Sequence, residues 1–73
     1  MQLIVKFEAT SPEQQTFIRH SLLKQFRGLL KKKNEFIIPE IKEGDIQDAT
    51  SKIIFLFIDR LRSLTFNILE DQQ

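Results

Sequence analysis

The opening residues combine a strand pattern with a helix start, and no other feature of the sequence constrains the fold as strongly. Residues 2–9 alternate between apolar and mixed positions, and one face carries Leu3, Val5, Phe7 and Ala9. Period-two alternation with apolar and β-branched residues predicts a strand with one buried face. Ser11 then suits the N-cap, Pro12 the first helical position, and Gln14 the far end of a capping box. The sequence therefore predicts a strand that leads directly into a helix.

The first helix is predicted to span residues 12–33. Its apolar residues recur at helical spacing and share one side, namely Ile18, Leu22, Phe26, Leu29 and Leu30. Three lysines, at positions 31–33, match the negative end of the helix dipole, and Asn34 suits a left-handed cap.

A second strand is predicted over residues 36–42, before Gly44. Because Pro39 cannot donate a ladder hydrogen bond, we expect this strand to lie at an edge or to contain a bulge. Asp45 and Asp48 follow, and acidic residues are favoured at the positive end of a helix. We therefore expect a second helix to begin here.

The stretch over residues 46–64 fits two structures. Residues 53–58 are strand formers and could form a buried strand. At helical period, however, seven apolar residues fall within about 140° of one another: Ile46, Ala49, Ile53, Ile54, Phe57, Leu61 and Leu64. The helix is the favoured interpretation. Period-two alternation returns at residues 64–68 and predicts a third strand, followed by a polar, frayed end at 70–73.

These elements give the order βαβαβ in a single small globular domain over residues 1–73. The predicted fold class is α+β, a two-layer α/β sandwich in which two helices cover one face of a three-stranded sheet. The other face is expected to be open and mixed in character, with Ile4, Lys6, Glu8, Thr65 and Asn67.

The length and composition indicate how such a domain could be stabilised. A chain of 73 residues buries only about 60% of the surface that its unfolded form exposes. The sequence contains no Cys, which excludes disulfides and thiolate metal sites and leaves self-association as the expected support. The opening residues have no signal-peptide pattern, and the longest apolar run is residues 53–58. We therefore expect a cytoplasmic protein without a membrane span.

The sequence offers no constellation that predicts catalysis. His20 is the only histidine, and no carboxylate lies at helical spacing from it. The acidic residues near the second helix are expected there for structural reasons, and there is no glycine-rich phosphate loop. The chain is therefore predicted not to be an enzyme, with no cofactor, no metal site and no small-molecule substrate.

Basic residues concentrate in one segment and suggest one possible function. Residues 19–33 contain no acid and carry Arg19, Lys24, Arg27, Lys31, Lys32 and Lys33. Such a cluster could bind nucleic acid or an acidic partner. The net charge is only +1 and the chain has no Tyr or Trp to stack on bases, so nucleic-acid binding is the alternative hypothesis.

Large apolar residues on the polar side of a helix suggest the favoured function. Phe55 and Leu56 project away from the apolar stripe of the second helix, and Leu23 does so on the first. Such residues are typical of contact surfaces, although a covering loop or a strand over 53–58 would also explain them. The sequence therefore predicts a small non-enzymatic protein-binding module, such as a regulator, inhibitor or accessory subunit. It would act through apolar contacts, as a homodimer or docked on a larger protein partner.

Overall fold

A computed structural model describes residues 1–70, and the rest of the predicted frayed end lies outside this range. Two helices and four strands follow one another in the order βαββαβ, with a short 3₁₀ helix before the last strand. The elements are β1 (Gln2–Ala9), α1 (Pro12–Gln25), β2 (Leu29–Lys32), β3 (Glu35–Ile38), α2 (Glu43–Phe57), the 3₁₀ helix (Ile58–Arg60) and β4 (Leu61–Leu69). The α+β class is confirmed, whereas the three-stranded sheet and the order βαβαβ were wrong by one strand.

The four strands form one antiparallel sheet in the order β2-β3-β1-β4. Side chains from β1, β3 and both helices meet in one core, which contains Val5, Phe36, Ile18, Ile53 and Phe57 among others. Both helices therefore cover the same face of the sheet, as expected. This connection and strand order are those of the split βαβ, or ferredoxin-like, arrangement.

The helix α1 is shorter than its apolar spacing predicted. It begins as expected, because the backbone N–H of Gln14 donates to Ser11 Oγ at 3.2 Å. It ends at Gln25 rather than at residue 33, and Phe26 is already extended. The cause lies in the packing of Gly28. A Cβ there would lie 2.6 Å from Cζ of Phe36 and still closer to the backbone oxygen of Ile37.

The segment after Gly28 pairs with β3 and becomes β2, a strand that the sequence did not predict. Leu30 lies opposite Phe36, and Lys32 lies opposite Glu35. The predicted left-handed cap at Asn34 is also wrong, because no non-glycine residue within 1–70 has a positive φ. The three lysines at 31–33 therefore lie on β2 and its turn instead of at a helix end.

The predicted edge strand over 36–42 is an interior strand. The strand β3 stops at Ile38 and is hydrogen-bonded to β2 on one side and β1 on the other. Pro39 follows the last paired residue, so its missing N–H ends the strand without interrupting a ladder.

The helical interpretation of the ambiguous apolar run is confirmed up to Phe57. The N-cap is Lys42, without a side-chain cap bond, so neither Asp45 nor Asp48 caps the helix, but Asp45 does lie in its first turn, as the helix dipole favours. The helix also ends before residue 64. Leu61 and Leu64 belong to β4, where they pair with Ala9 and Phe7 of β1.

The open face of the sheet has the predicted mixed character. Ile4 lies opposite Asn67, Lys6 opposite Thr65, and Glu8 opposite Ser63. On the other side of β1, Lys6 lies opposite the buried Glu35 of β3.

Candidate functional site

Phe55 is the most exposed large apolar side chain within residues 1–70, at 83%. It lies on the outer side of α2, because the buried residues of that helix are Ala49, Ile53 and Phe57. Leu56 is also exposed, at 37%. Both residues therefore project from the core as the sequence predicted.

Two further apolar residues near the end of α2 are exposed, and the sequence did not identify them as surface residues. Ile54 is 42% exposed, although it was predicted to lie in the core, and Ile58 is 59% exposed. Thr50 and Ile46 lie one and two turns before Ile54 on the same side of α2, and they line a cavity of about 430 Å³ together with Ile68 of β4. This side of α2 therefore faces β4. Ile54 continues that side one turn farther along.

Ile68 is a further exposed apolar residue, and it comes from the sheet. Ile68 lies near the end of β4 and lines the cavity between this strand and α2. Its side chain is nevertheless 48% exposed. We call Ile54, Phe55, Ile58 and Ile68 the edge patch. The first three residues lie at the end of α2, and Ile68 lies at the far end of β4, beside the first turns of the same helix.

Leu23 does not join the edge patch. It is 46% exposed on α1, and Phe17 marks the side of α1 that contacts α2, because its ring meets that of Phe57 at 6.5 Å. Six residues later on a helix, Leu23 points about 120° away from Phe17. The predicted grouping of Leu23 with Phe55 and Leu56 therefore spans two separate surfaces.

The two edges of the sheet differ strongly. The edge strand β4 has nine residues, contains no Pro or Gly, has Arg62 as its only charged residue, and shifts register once against β1, at Arg62. The opposite edge strand, β2, has four residues, includes Lys31 and Lys32, and contains a register shift. Short length, lysines and bulges protect an edge against pairing with another strand. Both edge strands contain one register shift, but only β2 is also short and rich in lysine, so the edge of β4 is the less protected of the two.

Two cation–aromatic contacts join the helices above the core, and neither was predicted. The guanidinium of Arg60 lies 4.3 Å from the ring centre of Phe17 and donates to Gln14 Oε1 at 2.6 Å. The ammonium of Lys52 lies 5.5 Å from the ring centre of Phe26. These pairs connect residues distant in sequence, so sequence spacing gave no indication of them.

The basic segment does not form one continuous stripe. Arg19 and Lys33 line a cavity of about 480 Å³ together with Arg62 from β4, which was not among the predicted residues. Arg27 lines two other cavities, next to Glu40. Lys24 is exposed at the end of α1, and Lys31 and Lys32 are exposed on β2. The structure thus brings together only two of the six predicted basic residues.

Other side chains gave no candidate for catalysis or metal binding. His20 is exposed on α1. Within residues 1–70, no group of three or more His, Asp or Glu side chains is placed to hold a metal ion. Neither described helix has the length and apolar character needed to cross a membrane.

Comparison with known proteins gave no relative. The chain matches no protein-family model, no curated protein and no solved structure.

Proposed function

We propose that this chain is a small protein-binding module that associates with a second copy of itself along the edge of β4. The observation that supports this proposal is the combination of a long, almost uncharged edge strand with the exposed edge patch beside it. Unpaired strand edges of this kind are ready templates for another strand.

An antiparallel pairing of two β4 strands is self-complementary. With the two-fold axis at Thr65, the centre of the strand, Leu64 lies opposite Phe66 of the other copy. In the same register Arg62, the only charged residue of β4, lies opposite Ile68. No like charges therefore face each other, and Leu64 meets Phe66 on the helix-covered face.

The same operation through β2 is disfavoured. Pairing two copies of that strand places Lys31 and Lys32 of one copy beside those of the other. Like charges on adjacent strands destabilise pairing, so the proposal assigns the interface to β4.

The edge patch adds side-chain burial to this strand pairing. The side of α2 that carries Ile54 faces β4, and Ile58 follows directly after this helix, so the two α2 helices would approach each other above the extended sheet. Covering these side chains supplies the hydrophobic contribution that a domain of 73 residues lacks when it stands alone.

Sedimentation velocity over the micromolar concentration range tests the proposal. The wild-type chain is expected to sediment as a dimer, and Phe55→Asp to shift the equilibrium towards the monomer. Leu29→Asp is the matched control, because Leu29 is 50% exposed on the opposite edge strand. It should leave the equilibrium unchanged.

A wild-type chain that remains monomeric throughout this range contradicts the proposal. So does an equal effect of the Phe55 and Leu29 substitutions, since that result would reflect general loss of apolar surface and not a particular interface. Circular dichroism of each variant checks that the fold is retained.

Binding of a phosphate-bearing ligand is a second candidate function. It is supported by the single cavity at which Arg19, Lys33 and Arg62 converge. This candidate replaces the continuous nucleic-acid surface expected from the whole basic segment, because the other four basic residues of that segment do not line this cavity.

A further inference from the structure

We infer that the cavity between the end of β1, the first turns of α1 and the β2–β3 turn is a binding site for a phosphate group on a small molecule. It has a volume of about 480 Å³ and is open to solvent. This size falls within the range of ligand pockets, which is about 300–1,000 Å³. The inference rests on the second candidate function and not on self-association. The site shares Arg62 with the proposed β4 interface, so its experiment varies Arg19 and Lys33, which lie outside that interface.

The charge of the cavity is the main argument. Three cationic side chains line it, from three separate parts of the chain: Arg19 on α1, Lys33 in the β2–β3 turn and Arg62 on β4. None of the nine described residues that line it is acidic. Three like charges gathered without a lining carboxylate repel one another, and a bound anion would relieve this repulsion.

Arg19, which lines this cavity, also has an unsatisfied hydrogen-bond donor. Its Nε is shielded from solvent and has no hydrogen-bond partner within residues 1–70. A buried donor without a partner is costly, and each such group in a native protein needs an explanation. Arginine presents donors in a planar fork that matches a phosphate, so the guanidinium of Arg19 is suited to this ligand.

Backbone hydrogen bonds fix the walls of the cavity. Gln15 joins two of them, because its Oε1 accepts from the backbone N–H of Ala9 at 3.0 Å and its Nε2 donates to the backbone oxygen of Lys33 at 2.6 Å. The backbone N–H of Thr10 donates to the oxygen of Arg60 at 3.0 Å, which ties the end of β1 to the segment before β4. The elements that carry the three cations are therefore held together by the fold itself, which reduces the ordering cost of binding.

The arrangement favours a small phosphorylated ligand over a nucleic acid. A nucleic-acid backbone requires cations spaced along a groove, together with surfaces on which bases stack. Here the cations surround one cavity, and its lining contains no aromatic residue. One phosphate group in that cavity would account for the placement of Arg19, Lys33 and Arg62 around it.

Titration with inorganic phosphate, followed by NMR of backbone amides and of the Arg19 Nε–H group, tests the inference. Sodium chloride at matched ionic strength is the reference. We expect saturable shifts at Arg19 and Lys33 and at the amides of β1 that end at the cavity. Arg19→Gln and Lys33→Gln are each expected to weaken binding about tenfold, since each removes a charged hydrogen bond.

Two matched controls change the same net charge at neighbouring positions outside the cavity. Arg27→Gln controls for Arg19→Gln, and Lys32→Gln controls for Lys33→Gln. Both should leave the phosphate affinity unchanged. Lys33 is exposed, so its substitution remains informative if the half-buried Arg19 position proves important for folding.

Three results would overturn the inference: no saturable shift with phosphate, equal weakening by cavity and control variants, or tight binding of a short single-stranded oligonucleotide that phosphate does not compete with. The last result would restore the nucleic-acid hypothesis. None of these measurements depends on the oligomeric state, so this inference and the proposed self-association can fail separately.

Discussion

At the scale of single residues, Arg60 shows how one side chain can join several elements. It lies in the 3₁₀ helix, yet its guanidinium stacks on Phe17 and donates to Gln14, both on α1. The ring of Phe17 in turn meets that of Phe57 at the end of α2, edge to face. This small cluster closes the end of the core where the chain turns from α2 into β4.

The substitution Arg60→Lys is expected to lower the free energy of unfolding. A lysine keeps the charge but loses the planar fork and its stacking on the ring, which together contribute on the order of 1 kcal/mol. Urea denaturation measures the change. Arg62→Lys is the matched control, because Arg62 makes neither of these two contacts. Equal destabilisation by both substitutions would contradict a specific role for Arg60.

At the scale of elements, Gly28 decides where α1 gives way to β2. The chain at Gly28 passes directly against Phe36, which is fully buried, and against the backbone of β3. A side chain there would clash with backbone as well as with the Phe36 ring, so β2 could not approach β3 as closely. Helix propensity alone lowers the stability of a glycine position by only about 1 kcal/mol and would not end the helix.

The two glycines of the chain are expected to respond in opposite ways to alanine. Gly28→Ala should destabilise the fold by roughly 1–3 kcal/mol, the usual cost of overpacking. Gly44→Ala should stabilise it by up to about 1 kcal/mol, because Gly44 lies in α2 and a Cβ there would meet nothing within 4 Å. Thermal or urea unfolding of both variants measures the difference. A neutral Gly28→Ala would show that β2 does not depend on this close approach.

At the scale of the whole molecule, the two edges of the sheet are protected to different degrees, and the edge of β4 is the longer and less charged one. The helices cover a single face, and their arrangement leaves the edge patch beside β4. This asymmetry would direct association to a single edge and produce a closed pair in place of an open chain of molecules.

Charge substitution at Ile68 tests the proposed register directly. In that register Ile68 lies opposite Arg62 of the other copy, so Ile68→Lys should weaken the dimer more than Ile68→Glu. Both variants lose the same apolar side chain, which makes each the control for the other. Within one chain, Glu43 and Glu70 line the cavity beside Ile68, so their negative charges stabilise the folded chain of Ile68→Lys relative to that of Ile68→Glu. Sedimentation equilibrium compares the two, and a stronger dimer for Ile68→Lys would contradict the register.

The sequence by itself determined the elements whose signals are local. Alternation over residues 2–9 and the Ser11 cap placed β1 and the start of α1 correctly, and helical periodicity identified α2 despite its strand-forming residues. It also identified Phe55 as an outward residue, because a helix fixes the direction of each side chain relative to its neighbours.

Only the tertiary structure decided the features that depend on contacts distant in sequence. Leu29 and Leu30 fit a helix as well as a strand, and the close packing of Gly28 on β3 selected the strand. The same packing moved Lys33 beside Arg19, while the pairing of β4 with β1 brought Arg62 to the same cavity. Local periodicity carries no information about such contacts, since they arise when separate segments pack together.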